Sequence, residues 1–213
     1  MNTISYSLFG NDSKYIKGAI HNCKLASKYF PDWCVYFYVD KTVPNDICEE
    51  LKKLNSTIIY VPDILEHFKY GYRFLIVDEP NIERFLICDT DDRLSPIFKS
   101  VIDDWISTKM SSYVVRTGPA HNIPILGGAW GSTKTKIHFN MLDEIIKFDK
   151  AHIGHSEKGF DQDFLGEIIW PIICDDAVTY GEAFHYKTIL HKPNFKVNHI
   201  CGVYDADTEL PLT

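Results

Sequence analysis

Phe85-Leu86-Ile87-Cys88 runs straight into Asp89-Thr90-Asp91-Asp92-Arg93, a short apolar stretch set against a run of carboxylates. A brief apolar run bounded by a polar turn predicts a strand covered on both faces. The chain leading up to it repeats the pattern. Ile4 to Phe9 is an apolar strand closed by Gly10-Asn11-Asp12, and Lys14 to Phe30 carries apolar residues at helical spacing. Trp33 to Val39 is a near-continuous buried strand ending at Asp40. Asn45 to Leu54 reads as a helix, Thr57 to Val61 as a third strand, and Leu65 to Val77 as a further helix. Apolar strands alternating with helices predict an α/β fold, a mostly parallel central sheet with helices on both faces. Ligands of such sheets bind outside the carboxyl ends of the strands. Gly10, Asp40 and Asp89 all fall there.

The second half is less regular. Ile97 to Trp105 and Lys136 to Phe148 read as helices, with Tyr113-Val114-Val115 a strand between them. Phe164 to Trp170 reads as a short helix stopped by Pro171. With no internal repeat and no Pro/Ser-rich linker, residues 1–213 are expected to form a single domain. The abrupt end at Pro211-Leu212-Thr213 suggests the N-terminal part of a longer chain.

Composition narrows the function classes. A chain of 213 residues that is 45% hydrophobic can bury a sizeable core, and 14% aromatic leaves rings to line clefts. A net charge of −7, with no long Lys/Arg block, argues against nucleic acid as a partner. Cys23, Cys34, Cys48, Cys88, Cys174 and Cys201 form no C-x-x-C pair and read as reduced thiols. The N-terminus has neither a basic region nor a long apolar one, and no apolar stretch approaches the roughly 20 residues of a membrane span. The expected compartment is a cytoplasm, in which the sequons at Asn11 and Asn55 carry no meaning.

On an extended segment, residues two apart project to one side. Asp89 and Asp91 would then aim two carboxylates at one point while Asp92 faces elsewhere. Like charges held together call for a cation, and Mg²⁺ or Mn²⁺ suits hard oxygen ligands shared with substrate phosphates. Such a metal also neutralises a departing diphosphate. The competing reading is an acidic turn that caps the next helix. A Ca²⁺ loop would need Gly and an acid where Leu94 and Ser100 stand, and a phosphatase nucleophile motif would need Thr or Val in place of Arg93.

A strand-terminal D-x-D on an α/β domain resembles the GT-A class of nucleotide-sugar glycosyltransferases. The stretch from Arg73-Phe74-Leu75 through Asp78-Glu79-Pro80 to Cys88-Asp89-Thr90-Asp91-Asp92-Arg93-Leu94-Ser95 is similar to a sugar-transferase core. His121-Asn122-Ile123-Pro124-Ile125-Leu126-Gly127-Gly128-Ala129-Trp130-Gly131 follows, then Asp161-Gln162-Asp163-Phe164-Leu165 and Trp170-Pro171, in that family's order. An ending like His199-Ile200-Cys201-Gly202 also fits. The pattern is similar in particular to glycosyltransferase domains encoded by large DNA viruses of algae, the chlorella viruses, which implies a host cytoplasm. Cys88, Asp92 and Ala129 depart from it, standing where that family has Arg, Ser and Met.

The resemblance implies a metal, Mn²⁺ or Mg²⁺, held by Asp91 and Asp89, with His199 as third ligand and Asp205 or Asp207 as alternatives. It implies a UDP-sugar donor bound by Leu8, Phe9, Gly10, Arg73, Asp89, Thr90, Gly127 and Gly128, with the nucleobase near the end of the first strand. Asp161 and Gln162 would lie by the reacting sugar, the Asp holding hydroxyls and the Gln near the anomeric carbon, which favours retention. A general base at Asp161 or Asp163 would favour inversion instead. Trp130 would stack on a sugar or sit in the core, and His121 would touch donor or acceptor or be structural. His152-Ile153-Gly154-His155 reads as a polar loop, a candidate lid. The acceptor would be a glycan or glycoprotein. The rivals are a nucleotidyltransferase or phosphotransferase with the same metal pair, and a non-catalytic sugar-binding module.

Overall fold

The structure, a computed structural model, describes residues 1–116, 122–152, 159–181, 189–190 and 193. Among the described residues, eight strands form one sheet in the order β3-β2-β1-β4-β6-β5-β7-β8. They are β1 (Asn2–Leu8), β2 (Cys34–Val39), β3 (Ser56–Tyr60), β4 (Arg84–Cys88), β5 (Ser112–Arg116), β6 (Ala129–Thr133), β7 (Ala177–Gly181) and β8 (Ile189–Leu190). All pairings are parallel except the two made by β6, which runs antiparallel to β4 and β5.

Most of the longer helices begin where the sequence supplies a capping side chain. The Asp12 side chain accepts from the Lys14 N–H at 2.9 Å and starts α1 (Ser13–Tyr29), which stops before Pro31. α2 is Asn45–Lys53. Ser95, with Pro96 in the first turn, starts α3 (Pro96–Thr108) by accepting from the Phe98 N–H at 3.1 Å. Asn140 caps α4 (Met141–Ala151), and the Asp78 carboxylate takes the next free amides, those of Met141 and Leu142, at 2.6 and 2.9 Å.

One core, on one face of the sheet, includes Ala19, Cys23 and Ala26 of α1 and Phe98, Val101 and Trp105 of α3. A second contains Phe68, Phe74, Ile145, Phe148 and Phe164. The sheet is thus covered on both faces, as central strands buried along nearly their whole length require. Burial pushes the Cys23 thiol up to about 12. Cys23, Cys34, Cys48, Cys88 and Cys174 are free thiols; Cys201 lies outside the described residues. No described helix is long and apolar enough to cross a membrane.

Three elements differ from their sequence reading. The segment before β4 is a 3₁₀ helix, Asp63–Asp78, broken at Leu65 and Phe68. The helix expected from Lys136 starts at Met141, because Asn140 is the residue that can cap it. Pro171 does not stop a helix. α5 (Phe160–Phe164) passes through a π turn, Leu165–Ile169, into α6 (Trp170–Ile173), and the proline stands just beyond the π turn, where the regular α-helical bonding is already interrupted.

Candidate active site

β4 ends at Cys88, and the chain leaves the sheet in a turn at Thr90-Asp91. Helix α1 receives that turn along one stripe, Lys14, Gly18 and Asn22, spaced four residues apart and so stacked on one face. A Cβ on Gly18 would collide with the Thr90 carbonyl oxygen, so only glycine lets the helix come this close. The buried Asn22 donates to the carbonyls of Thr90 (3.3 Å) and Asp92 (2.8 Å) and accepts from the Leu94 N–H (3.2 Å). Arg93 donates to the same two carbonyls at 3.2 and 3.0 Å. With its backbone carbonyls satisfied from behind, the turn projects its side chains forward.

Asp89, Asp91 and Asp92 all line one cavity. Asp92, which was expected to face elsewhere, also borders a smaller pocket lined by Tyr6, Asn22 and Cys88. Burial, and then the charges of Asp89 and Asp91, hold the Asp92 carboxyl well above the usual carboxylate range. Lys14 Nζ lies 2.7 Å from Asp91 Oδ2.

Arg73 forms the floor. It is only 4% exposed, and its backbone is pinned to β1: its N–H donates to Ser7 Oγ at 2.9 Å, and its carbonyl accepts from Ser5 Oγ at 2.7 Å. Its guanidinium pairs with Asp89 Oδ1, reaches the Cys88 carbonyl at 3.4 Å, and meets Asp161 Oδ2 at 3.4 Å. One buried cation thereby joins the end of β4 to the start of α5. Burial raises the Asp161 carboxyl, with Arg73 opposing the shift.

The antiparallel strand β6 brings in the glycine pair. Cys88 is in register with Ala129, so Gly127-Gly128 emerges beside Asp89. A Cβ on Gly128 would strike the Asp89 carboxylate, and one on Gly127 would lie 2.7 Å from Asp161 Oδ2 and 2.9 Å from Arg73 Nη2. Both positions are glycine because acids and a guanidinium crowd them.

The cavity holds about 270 Å³. Beyond the carboxylate turn and Arg73, its lining is Ser7, Leu8, Phe9, Tyr15 and Tyr70. Phe9 meets Tyr70 edge to face at 5.2 Å. Gly10 is not part of the lining. It turns the chain out of β1 at φ +72°, and its N–H donates to Thr42 Oγ1 at 2.6 Å, while Asp40 in turn holds Thr42.

Of the expected residues, Leu8, Phe9, Arg73, Asp89, Thr90 and Asp91 share the cavity wall, and Gly127, Gly128 and Asp161 pack against that wall from behind. Gln162 follows Asp161 in α5. Its Oε1 and Arg73 Nε are buried polar atoms with no hydrogen-bond partner among the described residues. Trp130 is fully buried between Phe74 and Phe85 and is a core residue. His152 packs on the Phe148 ring at 4.0 Å, and its Nδ1 lies 2.9 Å from the Phe148 carbonyl. His121, His155, His199, Asp205 and Asp207 lie outside the described residues. Among the described residues, no three His, Cys, Asp or Glu side chains converge as a metal site. The sequence reading missed Lys14, Tyr15, Gly18, Asn22 and Tyr70. Gly and Asn inside a helix, four apart, were the available signal, since neither favours a helix interior.

No protein-family profile matches the chain, and no curated protein sequence does. Among solved structures, core-mannan synthase A from Aspergillus fumigatus, in its Mn/GDP form, aligns with a TM-score of 0.50 at 8% identity, over 100% of this chain and 80% of that one. A structure of TarS from S. aureus aligns with a TM-score of 0.54 at 9% identity, over 89% of this chain and 36% of that one. A shorter TarS structure, residues 1–349, gives 0.53 at 11% identity, over 88% and 60%. The chain therefore spans less than two thirds of either TarS structure. At these identities the likeness is one of fold, and it bears out the GT-A-like α/β architecture expected from the sequence.

Proposed function

We propose that the chain is a metal-dependent glycosyltransferase that moves a sugar from a UDP-sugar donor to a hydroxyl of a glycan or glycoprotein, with retention. On its motif order we group it with the glycosyltransferase domains of large algal DNA viruses, acting in the host cytoplasm. The observation that carries the reading is the meeting of Asp89, Asp91 and Arg73 in one cavity at the carboxyl edge of the sheet, with Gly127, Gly128 and Asp161 packed against its wall. Core-mannan synthase A, which shares the fold, was solved with Mn and GDP. That supports a metal and a nucleoside diphosphate here.

Asp89 and Asp91 supply carboxylate oxygens of the kind a hard divalent cation takes, a two-ligand set that substrate phosphate oxygens would extend, and Arg73 and Lys14 stand as their present counter-ions. Asp91 and Asp89 would hold Mn²⁺ or Mg²⁺, completed by His199, Asp205 or Asp207. When bound, the metal would neutralise charge on the departing diphosphate.

The remaining roles belong to the chain itself. Phe9, Tyr15 and Tyr70 offer ring surfaces for a nucleobase beside Leu8. Gly127 and Gly128 leave room for Asp161, Arg73 and Asp89 to take up their places around the donor. Gln162, next to Asp161 in α5, would lie near the anomeric carbon. Asp161 would hold sugar hydroxyls.

The test is a product assay. Incubation with UDP-sugars, Mn²⁺ and glycan acceptors should release UDP and yield a glycoside of the donor's anomeric configuration, read by NMR. Chelation should stop it. Release of pyrophosphate instead, or no consumption of any donor with any acceptor, would overturn the reading.

A further inference from the structure

Lys14 is oddly placed for its own helix. It lies in the first turn of α1, which carries no acidic residue, and a cation there meets the positive end of the helix dipole. Its described hydrogen bond goes elsewhere, to Asp91 Oδ2 at 2.7 Å across 77 residues of sequence. The Lys14 side chain is 35% exposed and that of Asp91 15%. Asp91 therefore already has a cation, carried on a flexible and partly exposed stem. Asp89, itself 37% exposed, is held by a guanidinium that is buried and fastened to the sheet.

A divalent cation that binds Asp91 must compete with this ammonium for the carboxylate. Once displaced, the ammonium stays tethered beside the cavity, where a bound diphosphate would offer it a new partner. We propose that Lys14 is an exchangeable counter-ion. It neutralises Asp91 in the donor-free protein, opposes capture of bare metal, and moves onto the donor's diphosphate when metal and donor bind together. This rests on the metal and diphosphate reading given above. Lys14 is then a positioning residue through which each of the two ligands raises the other's affinity.

The experiment is calorimetric titration of Mn²⁺ into the parent protein, Lys14→Met and Lys24→Met, each with and without saturating UDP. Lys24 is exposed on the same helix and controls for lost charge alone. Circular dichroism melts confirm that each variant is folded. Without UDP, Lys14→Met should bind Mn²⁺ about fivefold more tightly than the parent, the scale of one partly exposed ion pair. The gain in Mn²⁺ affinity that UDP brings should shrink, and Lys24→Met should match the parent. Unchanged or weaker Mn²⁺ binding by Lys14→Met, or an equal gain in Lys24→Met, overturns the counter-ion role and leaves the metal reading intact. A parent protein that binds no Mn²⁺ even with UDP overturns both.

Discussion

Asp89 and Asp91 stand two residues apart on one turn, yet their counter-ions belong to different parts of the molecule. Asp89 answers to Arg73, which is buried, fastened to β1 by Ser5 and Ser7, and shared with Asp161. Asp91 answers to Lys14, one flexible side chain at the cavity rim. The first pair is part of the fold and the second is adjustable. Arg73 also meets Asp161, and that pair is buried on both sides, so removing one partner leaves an uncompensated charge in low dielectric, whereas the partly exposed Lys14 pair is screened by water. The site therefore has a rigid floor and a rim that a ligand can rearrange.

The sharpest way to break this contrast is Arg73→Met. Loss of the guanidinium leaves Asp161 buried without its cation, so unfolding by denaturant should show a cost of about 3–5 kcal/mol. A loss below about 1 kcal/mol, the range of exposed pairs, would mean the floor is no more fixed than the rim. Next comes Asn22→Ala. It orphans the buried Leu94 N–H and removes a donor to two carbonyls of the turn, and should cost about 1–3 kcal/mol by the same measurement.

Gly128→Ala sharpens the comparison from the other side, because its new Cβ would press on Asp89 and not on Asp91. Overpacking of this kind costs about 1–3 kcal/mol, and metal-dependent donor binding should weaken with it. Asp91→Asn should barely change the denaturation midpoint, by no more than about 1 kcal/mol of stability, since only the Lys14 pair is lost.

The smallest effect is expected at Asp176, remote from the site. Burial pushes its carboxyl up, but hydrogen bonds from Ser111 and Lys136 outweigh burial and hold it below the usual range. Its stabilisation is therefore present above the unfolded-state value of roughly 3.9 and lost as pH falls through the lower folded value. Asp176→Asn should be slightly less stable than the parent near neutral pH, and the two should converge in acid. A gap that widened on acidification would contradict the sign.

The half of the sheet built from β1 to β4 was legible because β2 and β4 are runs of apolar residues, β1 alternates apolar with small polar ones, and α1 and α2 keep their helical period. β6 was not. In Ala129-Trp130-Gly131-Ser132-Thr133 only two residues are large or apolar enough to signal burial, and its antiparallel pairing with β4 is a long-range fact absent from any local pattern. That pairing is what brings Gly127-Gly128 to Asp89, so the motif order could be read while its physical reason could not. The carboxylate turn was legible as a cluster, but its geometry was not, since an extended backbone was assumed where the chain turns. Lys14, Gly18 and Asn22 stayed hidden because a helix read for its apolar stripe discards its polar residues as solvated. Here they face the turn that carries the carboxylates.

The measurement that tests the central claim most directly is the melting temperature of the parent and of Asp91→Asn with a panel of UDP-sugars, each with and without Mn²⁺. At a donor concentration of about 100 times Kd the folded state gains about 2.7 kcal/mol, a shift of several degrees for a chain of this size. Expected is a rise with at least one donor that requires Mn²⁺ and disappears in Asp91→Asn. No Mn²⁺-dependent rise with any nucleotide sugar, or the same rise in Asp91→Asn, would contradict a metal-organised donor site at this turn.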